Sequence, residues 1–203
     1  MGYCEWASSS SMMQRYHDQE WGVPVHDDQR MFEHLCMESL QCGLSWALVL
    51  KRREVFRACF ANFDFDAMAA FDEGDVERIL ATDGMLRSRR KVEALINNAR
   101  RYQEVRREFG SFCNYLWAFT DGRTLVYEGH PQGNVPASNQ LSERIARDLK
   151  RRGFTYVGGV TVYSHLQACG LINDHACDCP RFEEINRKHP VTFVGATSTG
   201  SAR

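Results

Sequence analysis

A histidine and two cysteines near the C-terminal end of the chain have a spacing suited to metal binding. His175 and Cys179 are four residues apart, which places both side chains on one face of a helical turn. With Cys4 and His17 near the other end, they would form a closed Cys2His2 site of the structural zinc type. Cys177 is an alternative ligand if the segment is extended. The competing interpretation is buried free thiols and a surface histidine.

Aromatic residues are concentrated in the first quarter of the chain, around the segment Glu38–Trp46. They are Trp6, Tyr16, Trp21 and Trp46. Aromatic faces stack on extruded bases, and a buried carboxylate such as Glu38 can select a cationic or amino-bearing base. The alternative is an aromatic core beside a helix-terminal glutamate. The polar stretch between Tyr16 and Trp21 favours a binding role.

The segment Thr82–Leu86 predicts a tight turn between two helices, because Gly84 can adopt a positive φ. A helix, a short glycine turn and a second helix form a helix-hairpin-helix, which can present backbone amides to a DNA phosphate. Eight basic residues against two glutamates lie between Arg87 and Arg107, and a second basic cluster spans 144–152. Two clusters favour a phosphate-binding surface. The alternatives are a packing hairpin and solvated helix faces.

The spacing of apolar residues predicts helices for most of the chain. The first helices are expected to begin at Ser11 and Asp28, with Gly43 ending the second. The remaining helices are expected at Ser45–Phe60, Asp64–Phe71, Asp75–Ala81 with Asp75 as N-cap, from the hairpin turn past Tyr102, from Ser138 or Ser142 to Arg152, and at Thr161–Leu171. No convincing set of strands with a period of two is present, so the predicted fold class is all-α.

The composition excludes several classes of protein. A chain of 203 residues with 43% hydrophobic and 25% charged residues suits one domain, with or without a tail. A net charge of −1 excludes a polybasic protein but not a nucleic-acid enzyme, since local charge matters more than the sum. No apolar run is long enough to span a membrane, and no secretory signal is present. We therefore expect a cytoplasmic protein with reduced cysteines.

Several strings of residues resemble the type I 3-methyladenine DNA glycosylases. In the first part of the chain they are Cys4-x-Trp6, Tyr16-His-Asp-x-Glu-Trp-Gly-Val-Pro24, Phe32-Glu33 with Glu38, Gly43-Leu-Ser-Trp46 and Arg57-x-Cys-Phe60. Further along they are Arg87-x-Arg-x-Lys91 with Asn98-Ala-Arg100, Arg152-Gly-Phe154, Val157-Gly158, Tyr163 and Gln167-Ala-x-Gly-Leu-x-Asn-Asp-His175. The resemblance covers about residues 1–180, and its Tyr-His-Asp and Asn-Asp-His strings are highly specific.

The resemblance implies an enzyme that flips 3-methyladenine out of alkylated double-stranded DNA and releases it by hydrolysis. It implies one structural zinc ion per chain, held by Cys4, His17, His175 and Cys179. It implies catalytic roles for Glu38 and Tyr16, and base-binding roles for Trp46, Trp6, Trp21 and Tyr163. The expected DNA contacts are Gly43, Leu44, Arg87, Arg89 and Lys91, with Leu44 filling the gap in the duplex. No lysine is among the pocket candidates, so no lyase activity is expected.

The expected organisation is a monomer with a single helix-hairpin-helix domain over residues 1–182, followed by a tail over 183–203. Within the domain, a helical core over 26–139 carries the hairpin near 82–86. The flanking segments 1–25 and 140–182 are expected to be joined by the zinc ion.

The chain departs from the family pattern at a few positions, namely Ser10-Ser11, Met13, Gly159-Val160 and His165. We expect Met13 to change one pocket wall and Val160 to remove a hydroxyl from the pocket, while the smaller Gly159 would admit a bulkier adduct. These departures keep open an alternative function. The chain would then be a non-catalytic, zinc-stapled helical protein that recognises damaged DNA without releasing a base.

Overall fold

The computed structural model describes residues 4–195, and most of this range is helical. The α-helices are α1 Ser11–Gln19, α2 Asp28–Gln41, α3 Trp46–Lys51, α4 Arg53–Cys59, α5 Phe65–Ala69, α6 Glu73–Ala81, α7 Arg89–Phe109, α8 Phe112–Trp117, α9 Gln140–Arg151, α10 Gly159–Ala168 and α11 Pro180–Lys188. Short 3₁₀ segments cover Glu5–Ser9, Ala61–Phe63, Ala118–Thr120 and His130–Gln132. The predicted all-α class is confirmed.

Helix α2 lies at the centre of the fold, and every residue from Met31 to Leu40 is buried. It packs against α3, α7, α8 and α10. The side chain of Asp27 caps its start by accepting a hydrogen bond from the Arg30 amide, as N-cap residues do. Burial of a charged side chain is costly unless the charge is paired. The carboxyl group of Glu38 on this helix therefore needs an explanation.

The predicted helix-hairpin-helix is formed by α6, the turn around Gly84 and α7. Gly84 adopts φ +80°, a conformation that favours glycine. Asp72, not the predicted Asp75, is the N-cap of α6. Asp75 occupies the third helical position and returns a hydrogen bond to the Asp72 amide. This reciprocal capping moves the helix start three residues earlier than predicted.

The single helix predicted over Ser45–Phe60 is two helices, α3 and α4. The break lies at Arg52, whose φ of −99° and ψ of 5° are not helical. Its amide hydrogen-bonds to the carbonyls of Leu48 and Val49 at 3.2 and 3.1 Å, which tightens the last turn of α3. Apolar spacing continues across this break, so periodicity alone could not reveal it.

Two predicted helix starts in the C-terminal half also shift. Neither Ser138 nor Ser142 is the N-cap of α9. Asn139 is the cap, and Ser142 sits at the third helical position and exchanges hydrogen bonds with it. Helix α10 begins at Gly159 instead of Thr161, because packing overrides the low helix propensity of glycine.

The sequence did not reveal a small parallel sheet, in which β1, Thr124–Tyr127, pairs with β2, Val191–Val194. Only β1 alternates between buried and half-buried residues, and it is four residues long. In β2 the middle residues are exposed, including Phe193. A strand this short, without a buried face, gives no readable period.

The C-terminal segment also contains helix α11, which sequence reasoning missed. It crosses residue 182, where the expected domain ends, and β2 follows it. The remainder of the expected tail, residues 196–203, lies outside the described residues. No helix within the described range is long and apolar enough to cross a membrane.

Candidate active-site cavity and metal cluster

A cavity of about 460 Å³ opens between the N-terminal segment, α1, the end of α2 and the start of α3. Glu38 lines this cavity together with four aromatic residues, Trp6, Tyr16, Trp21 and Trp46. The structure thus brings together the aromatic and carboxylate residues that the sequence singled out. The volume falls within the range of small-molecule sites.

The carboxyl group of Glu38 is the central polar feature of the cavity. Glu38 is only 5% exposed, and burial raises the pKa of its carboxyl group to about 8. No group among residues 4–195 makes a hydrogen bond to this carboxyl group. A buried acceptor without a partner is costly, and a ligand that donates hydrogen bonds would remove that cost.

Two further polar atoms at the cavity are buried and have no hydrogen-bond partner among the described residues. They are the hydroxyl of Tyr16 and Nε1 of Trp46. The two rings lie 5.3 Å apart between centroids. Burial raises the pKa of Tyr16 well above its ordinary value, and the nearby Glu38 adds to this effect. Tyr16 is therefore a neutral hydrogen-bonding group.

Trp6 and Trp21 form the outer aromatic part of the cavity. Their centroids are 5.0 Å apart in an edge-to-face arrangement. Trp6 also lies 6.3 Å from Tyr16. Such contacts fix the orientation of the rings.

One wall of the cavity contains a hydrogen-bonded carboxylate, Asp174. It receives hydrogen bonds from Nδ1 of His130 at 2.8 Å and Nε2 of Gln167 at 2.8 Å. The hydroxyl of Tyr163 donates to it at 2.6 Å. Tyr163 itself is absent from the described lining. The residue predicted to bind the base directly instead supports a residue that lines the cavity.

Sequence reasoning assigned no role to His130, Gln167 and Asp174 in this wall. Asp174 and Gln167 belong to the Gln167–His175 motif, in which the sequence suggested a role for His175 alone. His130 lies in a proline- and glycine-rich loop, and no local pattern marked it.

The family departures affect the cavity unequally. Met13 lines it, as expected. Val160 is 56% exposed on α10, and neither it nor Gly159 is among the described lining residues. The expected loss of a pocket hydroxyl and gain of space at these two positions are therefore wrong. His165 is buried, with Nε2 3.1 Å from the Met31 carbonyl oxygen, and burial lowers its pKa to about 4.

A network of ion pairs holds the helices that carry Tyr16 and Glu38. Arg53 of α4 donates to Glu20, just after α1, at 2.7 Å, and to Glu33 of α2 at 2.6 Å. Arg57 donates to the same Glu33 carboxylate at 2.9 Å. Because Glu33 is buried, these pairs stabilise the arrangement only while they stay complete.

The four residues predicted to bind metal are clustered and buried. The ligand atoms of Cys4, His17, His175 and Cys179 all lie within 4.8 Å of one another. Nδ1 of His175 is 3.1 Å from Nε2 of His17, 3.6 Å from Sγ of Cys4 and 3.8 Å from Sγ of Cys179. This cluster could hold a metal ion. Cys177, the alternative ligand, is exposed and outside it.

Both histidines of the cluster are oriented by a second hydrogen bond. Nε2 of His175 lies 3.1 Å from the Trp21 carbonyl oxygen, and Nδ1 of His17 lies 2.8 Å from an Asp18 carboxylate oxygen. Such contacts leave the other ring nitrogen available to a metal. Gly22 permits this arrangement, because a Cβ atom there would come within 2.8 Å of the His175 ring.

Three of the predicted DNA-contact residues, Leu44, Arg87 and Lys91, line one shared pocket, and all five differ in their surroundings. Gly43 is exposed with φ +80°, and Leu44 is half-buried. Arg87 is exposed. Arg89 pairs with Glu73 and Glu77 of α6 and lies near Glu93 of α7. Lys91 donates to two backbone carbonyls.

Comparison with known proteins agrees with this geometry. The family model for methyladenine glycosylase matches residues 6–182. DNA-3-methyladenine glycosylase 1 of Escherichia coli (strain K12) is 42% identical over 179 residues, which are 88% of this chain and 96% of the relative.

Two solved structures share the fold. A crystal structure of 3-methyladenine DNA glycosylase I is 43% identical, with a TM-score of 0.83, covering 88% of this chain and 98% of that one. A variant of 3-methyladenine DNA glycosylase I in complex with 3-methyladenine is 31% identical, with a TM-score of 0.84, covering 89% and 97%. The chain belongs to the methyladenine glycosylase family.

Proposed function

We propose that this protein releases 3-methyladenine from alkylated DNA by hydrolysing the N-glycosidic bond. The observation that carries the proposal is the buried carboxyl group of Glu38, which lacks a partner within the described residues and lines an aromatic cavity. The hydroxyl of Tyr16 and Nε1 of Trp46 are likewise buried without partners there. Together they offer a carboxyl group, a hydroxyl that can donate or accept, and an indole N–H that donates to the edge of a flat base.

Charge explains how the cavity would select an alkylated base. A base alkylated at N3 carries a positive charge, which favours the carboxylate form of Glu38. Its hydrogen bonds to that carboxylate are charge-assisted. Stacking on Trp46, with Trp6 and Trp21 nearby, adds a cation–π attraction. A normal adenine is uncharged and gains neither contribution.

The same charge simplifies the chemical step. When the bond between the base nitrogen and the anomeric carbon breaks, its electron pair neutralises the departing base. A water oxygen then bonds to the anomeric carbon and loses a proton to the solvent. Base flipping costs a few kcal/mol, least where the base is damaged. None of the described residues that line the cavity is a lysine, which supports hydrolysis without lyase activity.

The cluster of two cysteines and two histidines fits a structural zinc ion. Ligand atoms around a tetrahedral zinc with bonds of about 2.0–2.3 Å lie about 3.3–3.8 Å apart. Four of the six separations here are 3.1–3.8 Å, and all six are within 4.8 Å. Zinc bound to four protein ligands would stabilise the fold without taking part in catalysis. It would join the start of the chain to the segment after α10.

Duplex DNA is the substrate that the surface supports best. Met85 and Leu86 of the hairpin turn line one shared pocket with the exposed Arg87 and with Leu44 of the neighbouring loop, which supports a common docking face. Leu44 would fill the gap left by the flipped nucleotide.

Chromatography of the bases released from methylated DNA tests the activity. We expect the purified protein to release 3-methyladenine, and heat-inactivated protein to release none beyond the spontaneous background. The alternative function, binding of damaged DNA without catalysis, predicts a shift of the DNA in a gel with no released base.

A further inference from the structure

Lys91 makes an unusual pair of contacts at the end of α2. Its ammonium group donates to the carbonyl oxygen of Leu40 at 2.6 Å and to that of Cys42 at 2.7 Å. The last four carbonyls of a helix lack partners within the helix, and a positive charge near them is favourable. Lys91 therefore caps α2 from a different helix.

The capped segment connects two parts of the proposed site. Glu38 lies one turn before it, and Leu44 lies just after it in the loop Cys42–Ser45. The amide of Leu44 donates to the Gln41 carbonyl at 2.6 Å, and Gly43 turns the chain with φ +80°. Lys91 contacts the carbonyls on both sides of Gln41, which itself lines the cavity.

Lys91 belongs to the first turn of α7, the second helix of the hairpin. Its side chain therefore links the hairpin to the loop that carries Leu44. Two of its three N–H groups are used by protein carbonyls, which distinguishes it from an unpaired surface lysine that awaits a phosphate.

We propose that Lys91 is a positioning residue that holds the loop Cys42–Ser45 against the hairpin, so that Leu44 enters the duplex in register with the cavity. This inference rests on the proposed function. In this role, the hairpin binds the DNA backbone, and Lys91 holds the loop in a fixed position relative to the hairpin. The role differs from the direct phosphate contact that the sequence suggested for this lysine.

The two roles predict different dependence on salt. A phosphate contact that is removed reduces the slope of log affinity against log salt concentration by about one unit. A positioning role leaves that slope unchanged and reduces the rate of base release at saturating protein instead. A merely structural role would lower thermal stability and the affinity for the free base together.

The decisive variant is Lys91→Met, which keeps much of the side chain and removes its donors. Lys91→Arg is the conservative variant. Arg90→Met is the matched control, because it removes one charge from the adjacent, exposed position. Four quantities are measured: single-turnover release of 3-methyladenine from methylated duplex, salt-dependent binding to a duplex with an abasic site, binding of free 3-methyladenine followed by tryptophan fluorescence, and the melting temperature.

For Lys91→Met we expect release at saturating protein to fall about tenfold or more, as expected for loss of a charge-assisted contact. The salt slope and the affinity for the free base should remain those of the parent protein. Lys91→Arg should recover most of the rate, and Arg90→Met should release base at the parent rate once saturating.

Other outcomes overturn the inference. A salt slope lower by about one unit with normal release at saturation would make Lys91 a phosphate contact. Parallel losses of melting temperature and free-base affinity would make its role structural. If the parent protein releases base and Lys91→Met releases it equally fast, the positioning role alone is wrong. If the parent releases none, the proposed function fails and this inference fails with it.

Discussion

His17 and His175 are 158 positions apart in the sequence, yet Nε2 of the first lies 3.1 Å from Nδ1 of the second. The contact joins α1 to the segment that follows α10. Tyr16 and Asp174, the residues immediately before these histidines, both line the cavity. The geometry of the metal cluster therefore also constrains the relative position of two residues that line the proposed active site.

We expect about one equivalent of zinc in the purified protein, bound by Cys4, His17, His175 and Cys179. Cys179→Ser should lower the melting temperature by at least about 5 °C, because metal binding contributes to folding free energy. Cys177→Ser is the control and should change neither quantity, since Cys177 is exposed and outside the cluster. Metal analysis and thermal unfolding measure both. Full zinc content in a Cys4→Ser/Cys179→Ser double variant would mean that other residues are the ligands.

Arg53→Met should destabilise the fold by about 3 kcal/mol, because it leaves the buried Glu33 with one partner and removes the partner of Glu20. Arg57→Met is the matched control. Arg57 is more exposed and Arg53 would still neutralise Glu33, so the loss should be smaller. Denaturant unfolding of both variants gives the comparison. Equal losses would show that the two arginines act as one shared surface network.

The sequence predicted the long elements and the residues that the structure brings together at the cavity and the metal cluster, for physical reasons. Helices α2 and α7 have apolar residues repeated over several turns, and periodicity of that length is a strong signal for a helix. The metal cluster could be predicted because cysteine and histidine combine only in a few chemistries. The aromatic residues around Glu38 could be predicted because their chemistry suits a base.

The remaining features depended on packing between distant segments. Arg89 and Lys91 belong to one basic run, yet only the tertiary structure reveals that glutamates of α6 surround Arg89 and that Lys91 reaches the end of α2. The sequence likewise did not indicate on which side of α10 Tyr163 lies. The sequence identifies each basic side chain, but the groups that these side chains contact lie in other segments of the chain.

Arg87 and Arg89 should contribute unequally to DNA binding. Arg87→Met should reduce the salt slope for abasic duplex by about one unit, as expected for one lost phosphate contact. Arg89→Met should reduce it less, because Glu73 and Glu77 already compensate its charge. Binding measured at several salt concentrations tests this order. A larger effect at Arg89 would mean that its ion pairs open when DNA binds.

The raised pKa of Glu38 has a consequence for stability. The folded state keeps the proton up to about pH 8, whereas an unfolded chain releases it near 4.3. Unfolding therefore releases a proton between these values, and this group lowers stability progressively as the pH rises from about 4.5 to 8. Glu38→Gln removes this effect. The melting temperature of Glu38→Gln relative to the parent should rise between pH 5 and 8. Parallel curves would contradict the raised pKa.

The same substitution should separate base recognition from DNA binding. Gln keeps the size of Glu38 but cannot carry the charge that favours a cationic base, and a charge-assisted hydrogen bond contributes about 1.5–3 kcal/mol. At a tenfold change per 1.36 kcal/mol, Glu38→Gln should slow single-turnover release of 3-methyladenine by about tenfold or more. Zinc content should be normal, because Glu38 is outside the metal cluster. Affinity for duplex with an abasic site should also be unchanged, since that DNA presents no base to the cavity. Release within twofold of the parent rate would remove Glu38 from the recognition of the base, and the proposed selection by charge would then be wrong.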